Sequence, residues 1–200
     1  MLSALRSKKR LAIFCSGNGT NFRAVYSGIR EQHLPCEIVL CISNTSQCGA
    51  MKFAQEKGIE ILHLAQKNFP TENNYEETLL SALCERNIDF ILLAGYMKKI
   101  PSCIVSAFEK KILNIHPALL PKYGGEGMFG MNVHRAVITN NETISGATVH
   151  FVSDEYDKGE ILLQHTVAVL PSDTPETLSE KVLAVEHLLY IEALKKVLIG

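Results

Sequence analysis

Apolar and polar positions fall in short alternating blocks along this chain. Leu11-Ala12-Ile13-Phe14-Cys15 is a run without a polar residue, the pattern of a strand covered on both faces. Similar runs recur at Glu37 to Ile42, Ile59 to Leu64, Phe90 to Ala94 and Lys111 to His116. Between them the period changes. Asn21 to Gln32, Ala50 to Lys57 (ending at Gly58) and Tyr75 to Arg86 read as helices, the last with Leu79, Leu80 and Leu83 at helical spacing. The alternation predicts an α/β fold: a Rossmann-like, mostly parallel sheet with helices on both faces.

The second half changes style. Gly124 to Asn132 contains four glycines and two methionines and reads as a mobile loop. Val133 to Thr139 reads as a short helix. Thr148 to Val152 and Glu160 to Val169 read as strands joined by the turn Ser153 to Gly159. No long helix separates them, so antiparallel pairing is expected in this C-terminal part. A last helix is expected from Thr174-Pro175, with proline in the first turn, to about Val197. No repeat, low-complexity tract or linker divides residues 1–200, so one domain is expected.

Composition narrows the function. The chain has 200 residues, 46% of them hydrophobic, and a net charge of −1. That is enough for a sizeable core and argues against a nucleic-acid surface. The apolar runs are too short for a membrane span. The basic N-terminus, Met1 to Arg10, lacks the apolar core of a signal peptide and reads as a leader to the first strand. Six cysteines, at 15, 36, 41, 48, 84 and 103, form no Cys-x-x-Cys pair. They read as small buried residues in a reducing, cytoplasmic setting rather than as a disulfide framework. Seven histidines show no zinc spacing.

Several segments carry candidate chemistry. Asn114-Ile115-His116-Pro117 closes the fifth predicted strand. Residues two apart share a strand face, so Asn114 and His116 project together, roughly 6–7 Å apart, at the edge where open α/β sheets bind ligands. An amide donor beside an imidazole suits an oxyanion. Ser16-Gly17-Asn18-Gly19-Thr20-Asn21 joins a strand to a helix, as a phosphate loop would, or as a tight turn with Asn or Thr capping the helix. Phe22 occupies the third glycine position of the dinucleotide fingerprint, and the P-loop lysine is absent. Met97 to Pro101 is a second strand-end segment, or a plain connection with solvated lysines. Asp157 lies in a turn and matters only if that turn reaches His116. Glu186 sits in an apolar helical stripe with Val182, Leu183, Leu189 and Tyr190. It needs a partner there, either a ligand or an internal Lys or Arg. His150, among apolar neighbours, reads as a core histidine at least as readily as a catalytic one. His134 and Arg135 could meet an anion or be solvated helix-start residues.

Taken together, these motifs resemble the folate-dependent glycinamide ribonucleotide formyltransferases of purine biosynthesis. The resemblance rests on Ser16 to Asn21, Ile42-Ser43-Asn44, Leu93 to Met97, Asn114 to Tyr123, Thr148 to Gly159 and Glu186-His187. It implies a formyltransferase fold with 10-formyltetrahydrofolate as cosubstrate and glycinamide ribonucleotide as acceptor, and it calls for no metal. Gly17, Asn18, Gly19 and Thr20 would hold the acceptor's phosphate, and Glu186 would contact the ribonucleotide. Asn114, His116 and Asp157 would be the catalytic trio, with protonated His116 an oxyanion donor. Tyr96, Met97, Lys98, Lys99, Ile100, Val152, Ser153 and Asp154 would line the folate pocket. The chain departs from the family pattern in a longer Gly124–Val133 loop, in Lys98 for a common arginine, and in Glu72 where some members carry an arginine. A monomer or weak homodimer is expected. The rival readings are a formyltetrahydrofolate hydrolase, a methionyl-tRNA formyltransferase and a non-catalytic nucleotide-binding module. Against the first two, no added N-terminal regulatory domain and no C-terminal tRNA-binding domain is expected.

Overall fold

A computed structural model describes residues 8–199. Residues 1–7, most of the expected basic leader, lie outside the described part. The strands are β1 (Lys9–Cys15), β2 (Cys36–Ser43), β3 (Glu60–His63), β4 (Phe90–Leu93), β5 (Ile112–His116), β6 (Ile144–Phe151) and β7 (Ile161–Ala168). The α-helices are α1 (Thr20–Glu31), α2 (Gly49–Glu56), α3 (Glu72–Glu85), α4 (Ser102–Ala107), α5 (Met131–Thr139) and α6 (Pro175–Ile199). The described strands form one sheet in the order β3-β2-β1-β4-β5-β6-β7. Pairings from β3 through β5 are parallel, and β5–β6 and β6–β7 are antiparallel.

The strands are apolar because helices cover both faces. Side chains of β1 alternate between two cores. Leu11, Ile13 and Cys15 pack with residues of α1, α2 and α6, while Ala12 and Phe14 pack with residues of α3 and α4. Gly28 lets α1 lie directly against α6, where a Cβ would collide with the Ile191 side chain.

Three expectations change. β6 begins at Ile144 rather than Thr148, extended by pairing with β7 that a Ser-Gly start concealed. The short helix α4 was not anticipated, since six residues carry too little periodicity to read. The cysteines are all free, but only Cys15, Cys36, Cys41 and Cys48 are buried; Cys84 is exposed on α3 and Cys103 half-buried on α4.

Candidate active site

The chain runs outward from β1 to β3, then returns to place β4 on the other side of β1. The carboxyl ends of β1 and β4 therefore open a crevice between diverging connections. Ser16 ties the two ends together. Its N–H donates to the Gly95 carbonyl (3.0 Å), and its Oγ accepts from the Met97 N–H (2.9 Å) and lies 2.6 Å from Asn44 Oδ1.

The glycine loop follows Ser16. Gly19 is left-handed (φ 73°), and a Cβ there would lie 2.8 Å from Ala50 Cβ. The Ala50 N–H donates to the Gly17 carbonyl (3.1 Å). Close packing onto α2 thus demands Gly19 whether or not an anion binds. Thr20 and Asn21 line a cavity of about 480 Å³ beside this loop, whereas Gly17, Asn18 and Gly19 are not among its lining residues. The N-cap of α1 is Gly19, without a side-chain cap bond, so the alternative reading of an Asn or Thr cap does not hold.

Asn114, His116 and Asp157 converge in the same cavity. His116 is buried, and its Nδ1 lies 3.5 Å from Asp157 Oδ2. Its Nε2 donates to the Tyr123 carbonyl at 2.7 Å; a peptide carbonyl can only accept, so that nitrogen carries the hydrogen. Asn114 Nδ2 lies 3.1 Å from His150 Nε2 and 3.5 Å from Asp157 Oδ1. The other His150 nitrogen, Nδ1, donates to the Phe151 carbonyl (2.9 Å). Asp157 Oδ1 also lies 3.4 Å from His150 Nε2, while Oδ2 accepts from the Gly125 N–H at 2.9 Å.

The charges follow from these contacts. Burial lowers the pKa of His116 below the usual 6.5, and the opposing pull of Asp157 and the Tyr123 carbonyl does not restore it. This favours a neutral resting ring, whose proton the Tyr123 carbonyl then holds on Nε2. Burial pushes Asp157 up, but His150, His116 and the Gly125 N–H outweigh it and keep the group below the ordinary carboxylate range.

Glu186 marks the inner end of the cavity. The Tyr190 hydroxyl, one turn further along α6, sits against the Leu93 and Leu113 carbonyls (3.2 and 3.0 Å) and docks the helix on β4 and β5. Glu186 is 7% exposed and accepts from Asn21 Nδ2 at 2.7 Å. The internal lysine or arginine considered from sequence is not its recorded partner. Burial, only partly offset by Asn21, pushes its carboxyl up to about 7. Asn21 Oδ1 and His134 Nδ1 are buried without a hydrogen-bond partner. Both residues line the cavity, as does Leu183.

At the outer end, Tyr96, Met97, Lys98, Lys99, Ile100, Val152 and Ser153 line the cavity as expected. Asp154 does not; Glu155 and Tyr156 do, because the turn directs them inward instead. The Gly124–Asn132 loop supplies Gly125 through Gly130, including Met128 and a half-exposed Phe129.

Sequence reading left two contributors open and missed three more. His150 could be core or catalytic, and it is the cross-strand partner of Asn114. An antiparallel register drawn from Asn114 would have found it. Of the two readings of His134, an anion contact or a solvated helix start, burial in the cavity wall rules out the second. The Tyr123 carbonyl and Gly125 N–H are backbone groups with no signature in residue type. Asn21 was read only as part of the glycine loop.

A formyl transferase family profile matches residues 9–194. The chain belongs to the formyl transferase family. It is 45% identical over 186 residues to a chloroplastic phosphoribosylglycinamide formyltransferase of Arabidopsis thaliana, covering 92% of this chain and 64% of that protein. The chloroplastic phosphoribosylglycinamide formyltransferase of Vigna unguiculata is 41% identical over 94% of this chain and 60% of its own length. The chain thus spans less than two-thirds of these curated relatives. Among solved structures, a phosphoribosylglycinamide formyltransferase from Bacillus halodurans superposes with a TM-score of 0.89 at 36% identity, covering 96% of both chains. One from Brucella melitensis gives 0.88 at 36%, covering 96% of this chain and 97% of that one. A formyltetrahydrofolate deformylase from Pseudomonas syringae shares the fold, with a TM-score of 0.83 at 22% identity over 95% of this chain and 61% of that one. Among the described residues, no helix is long and apolar enough to cross a membrane, and no group of three or more His, Cys, Asp or Glu could hold a metal.

Proposed function

We propose that this protein acts as one formyltransferase domain, moving the formyl group of 10-formyltetrahydrofolate to the amine of 5′-phosphoribosylglycinamide. The observation that carries the reading is the meeting of Asn114, His116 and Asp157 in a cavity that also holds the buried Glu186–Asn21 pair. The cavity has the two ends a bisubstrate transfer needs. The polar inner end offers Glu186, with unpartnered Asn21 and His134 atoms, to the ribonucleotide. The outer end, with exposed Met97 and Tyr156, offers apolar surface to a pteridine-bearing donor. Thr20 and the loop before it would receive the phosphate at the start of α1.

The neutral amine attacks the formyl carbon. Asn114 donates an amide N–H to the developing oxyanion, using the hydrogen now weakly placed 3.5 Å from Asp157. His116 takes the proton of the attacking amine at Nδ1 and becomes a cation beside Asp157. It then returns that proton to the departing folate nitrogen as the carbon–nitrogen bond breaks. Asp157, ionised at rest, stabilises the imidazolium without itself being protonated. The six free cysteines support a reducing compartment, which we take as the cytoplasm.

Hydrolysis of the same donor would use these groups on water. The Glu186–Asn21 end favours transfer, since water needs no such site. Mixing the protein with 10-formyltetrahydrofolate, with and without the ribonucleotide, separates the cases. Formyl loss that requires the ribonucleotide supports transfer. Loss without it supports hydrolysis, and no loss in either mixture overturns both.

A further inference from the structure

The tautomer of His116 presents a conflict. An ionised carboxylate facing Nδ1 at 3.5 Å would draw the ring proton to that nitrogen. A neutral ring with its proton there has no lone pair facing the cavity and cannot accept a proton from the substrate amine. The Tyr123 carbonyl overrides this by accepting from Nε2 at 2.7 Å. That carbonyl belongs to a residue in a strained, left-handed conformation (φ 56°), which must be held by its surroundings. The hold is visible. Tyr123 Oη donates to Glu142 Oε1 at 2.9 Å and accepts from Asn140 Nδ2 at 3.1 Å. Lys122 Nζ lies 2.9 Å from the same Glu142 oxygen.

We infer that the Tyr123 hydroxyl, anchored by Glu142 and Asn140, is a remote positioning group. It holds the Tyr123 carbonyl on His116 Nε2 and so keeps Nδ1, which faces Asp157 at the cavity wall, unprotonated. The other groups facing His116 are Asp157, His150 and His134. None of them offers Nε2 a recorded acceptor, so the tautomer depends on this one carbonyl. The anchor residues lie at the C-terminal end of α5 and in the turn beyond it, and neither lines the cavity. The inference rests on the reading of His116 as proton acceptor, but its first test does not.

That test is nitrogen-15 NMR of histidine-labelled protein near pH 8, with His116 assigned by difference from His116→Asn. The parent protein should show His116 protonated on Nε2. Tyr123→Phe keeps the packed ring and cuts the anchor, so it should give a mixture with the Nδ1-protonated form. Turnover should fall about two- to tenfold, the worth of one hydrogen bond, with both KM values unmoved. Glu142→Ala should behave alike, Glu142→Gln should restore the parent spectrum, and Lys122→Met should match the parent in both readouts. An Nδ1-protonated parent ring, or an unchanged tautomer in both Tyr123→Phe and Glu142→Ala, overturns the positioning role. A shifted tautomer with undiminished turnover refutes His116 as the proton acceptor and leaves the anchor standing.

Discussion

His116 Nδ1 lies 3.5 Å from Asp157 Oδ2, although 40 residues and two elements of structure separate them in sequence. The gap is longer than a good hydrogen bond. It fits a neutral imidazole whose lone pair faces a carboxylate, with room for a substrate proton to enter. Asp157→Asn should keep the fold, because its side-chain oxygen can still accept from Gly125. Turnover should fall roughly 10²-fold or more, with ligand affinities little changed. Steady-state kinetics beside a thermal melt check this; near-parent turnover would remove Asp157 from the reaction.

Neutral His116 as the base places the acid limb of kcat/KM below the ordinary imidazole value of 6.5, since burial depresses the ring's pKa. The rate should rise as His116 deprotonates, a limb read in the Glu186→Gln background, where the second cavity titration at about 7 is absent. A profile of kcat/KM against pH, at ionic strength held constant, tests it. An acid limb centred above 6.5 would contradict the assignment.

Glu186 makes stability depend on pH. Its folded value of about 7 lies above the ordinary 4.5. Between those values the folded state binds more protons than the unfolded chain. Its stabilising contribution is therefore full below pH 4.5 and lost as pH rises through 7. The loss is about 3 kcal/mol. Glu186→Gln keeps an acceptor for Asn21 and avoids that loss. It should be more stable than the parent at pH 8 in urea unfolding, and should bind the ribonucleotide more weakly in titration calorimetry.

Three histidines, the buried His116 and His134 and the half-buried His187, act in the opposite sense. His116, His134 and His187 are all held below 6.5, with burial the first cause for each. From their folded values up to 6.5 the unfolded chain binds more protons, so stability rises with pH there and falls on acidification. In the Glu186→Gln background, where the opposing titration is absent, the urea midpoint should drop between pH 7 and pH 5. Adding His134→Leu should make that drop shallower.

Gly19→Ala introduces a Cβ at a left-handed φ and 2.8 Å from Ala50 Cβ. It should cost on the order of 1–3 kcal/mol even without ligand. Urea unfolding checks this, and a change within error would show that α2 yields readily.

The β-strands were legible because each is a local run of apolar residues, and alternation of strand and helix left little choice of fold class. The antiparallel end followed from the short turn between Glu160 and the strand before it. Boundaries were less legible. The start of β6 at Ile144-Ser145-Gly146 carries no strand signal of its own and exists through its pairing with β7. Within the site, Asn114, His116 and Glu186 stood out because polar groups at a strand end or in an apolar helix stripe need a local explanation.

By itself the sequence determined the parallel core, the placing of Asn114 and His116 at a strand end, and the conflict of a carboxylate within the apolar stripe of α6. These are properties of neighbours in the chain, governed by strand and helix periods. Only the tertiary structure decided that Asn21 answers Glu186 and that His150 orients Asn114. It also set the proton of His116 on Nε2. Those outcomes depend on register, burial and backbone carbonyls brought from distant segments, and a peptide group carries no mark of its partner in residue type.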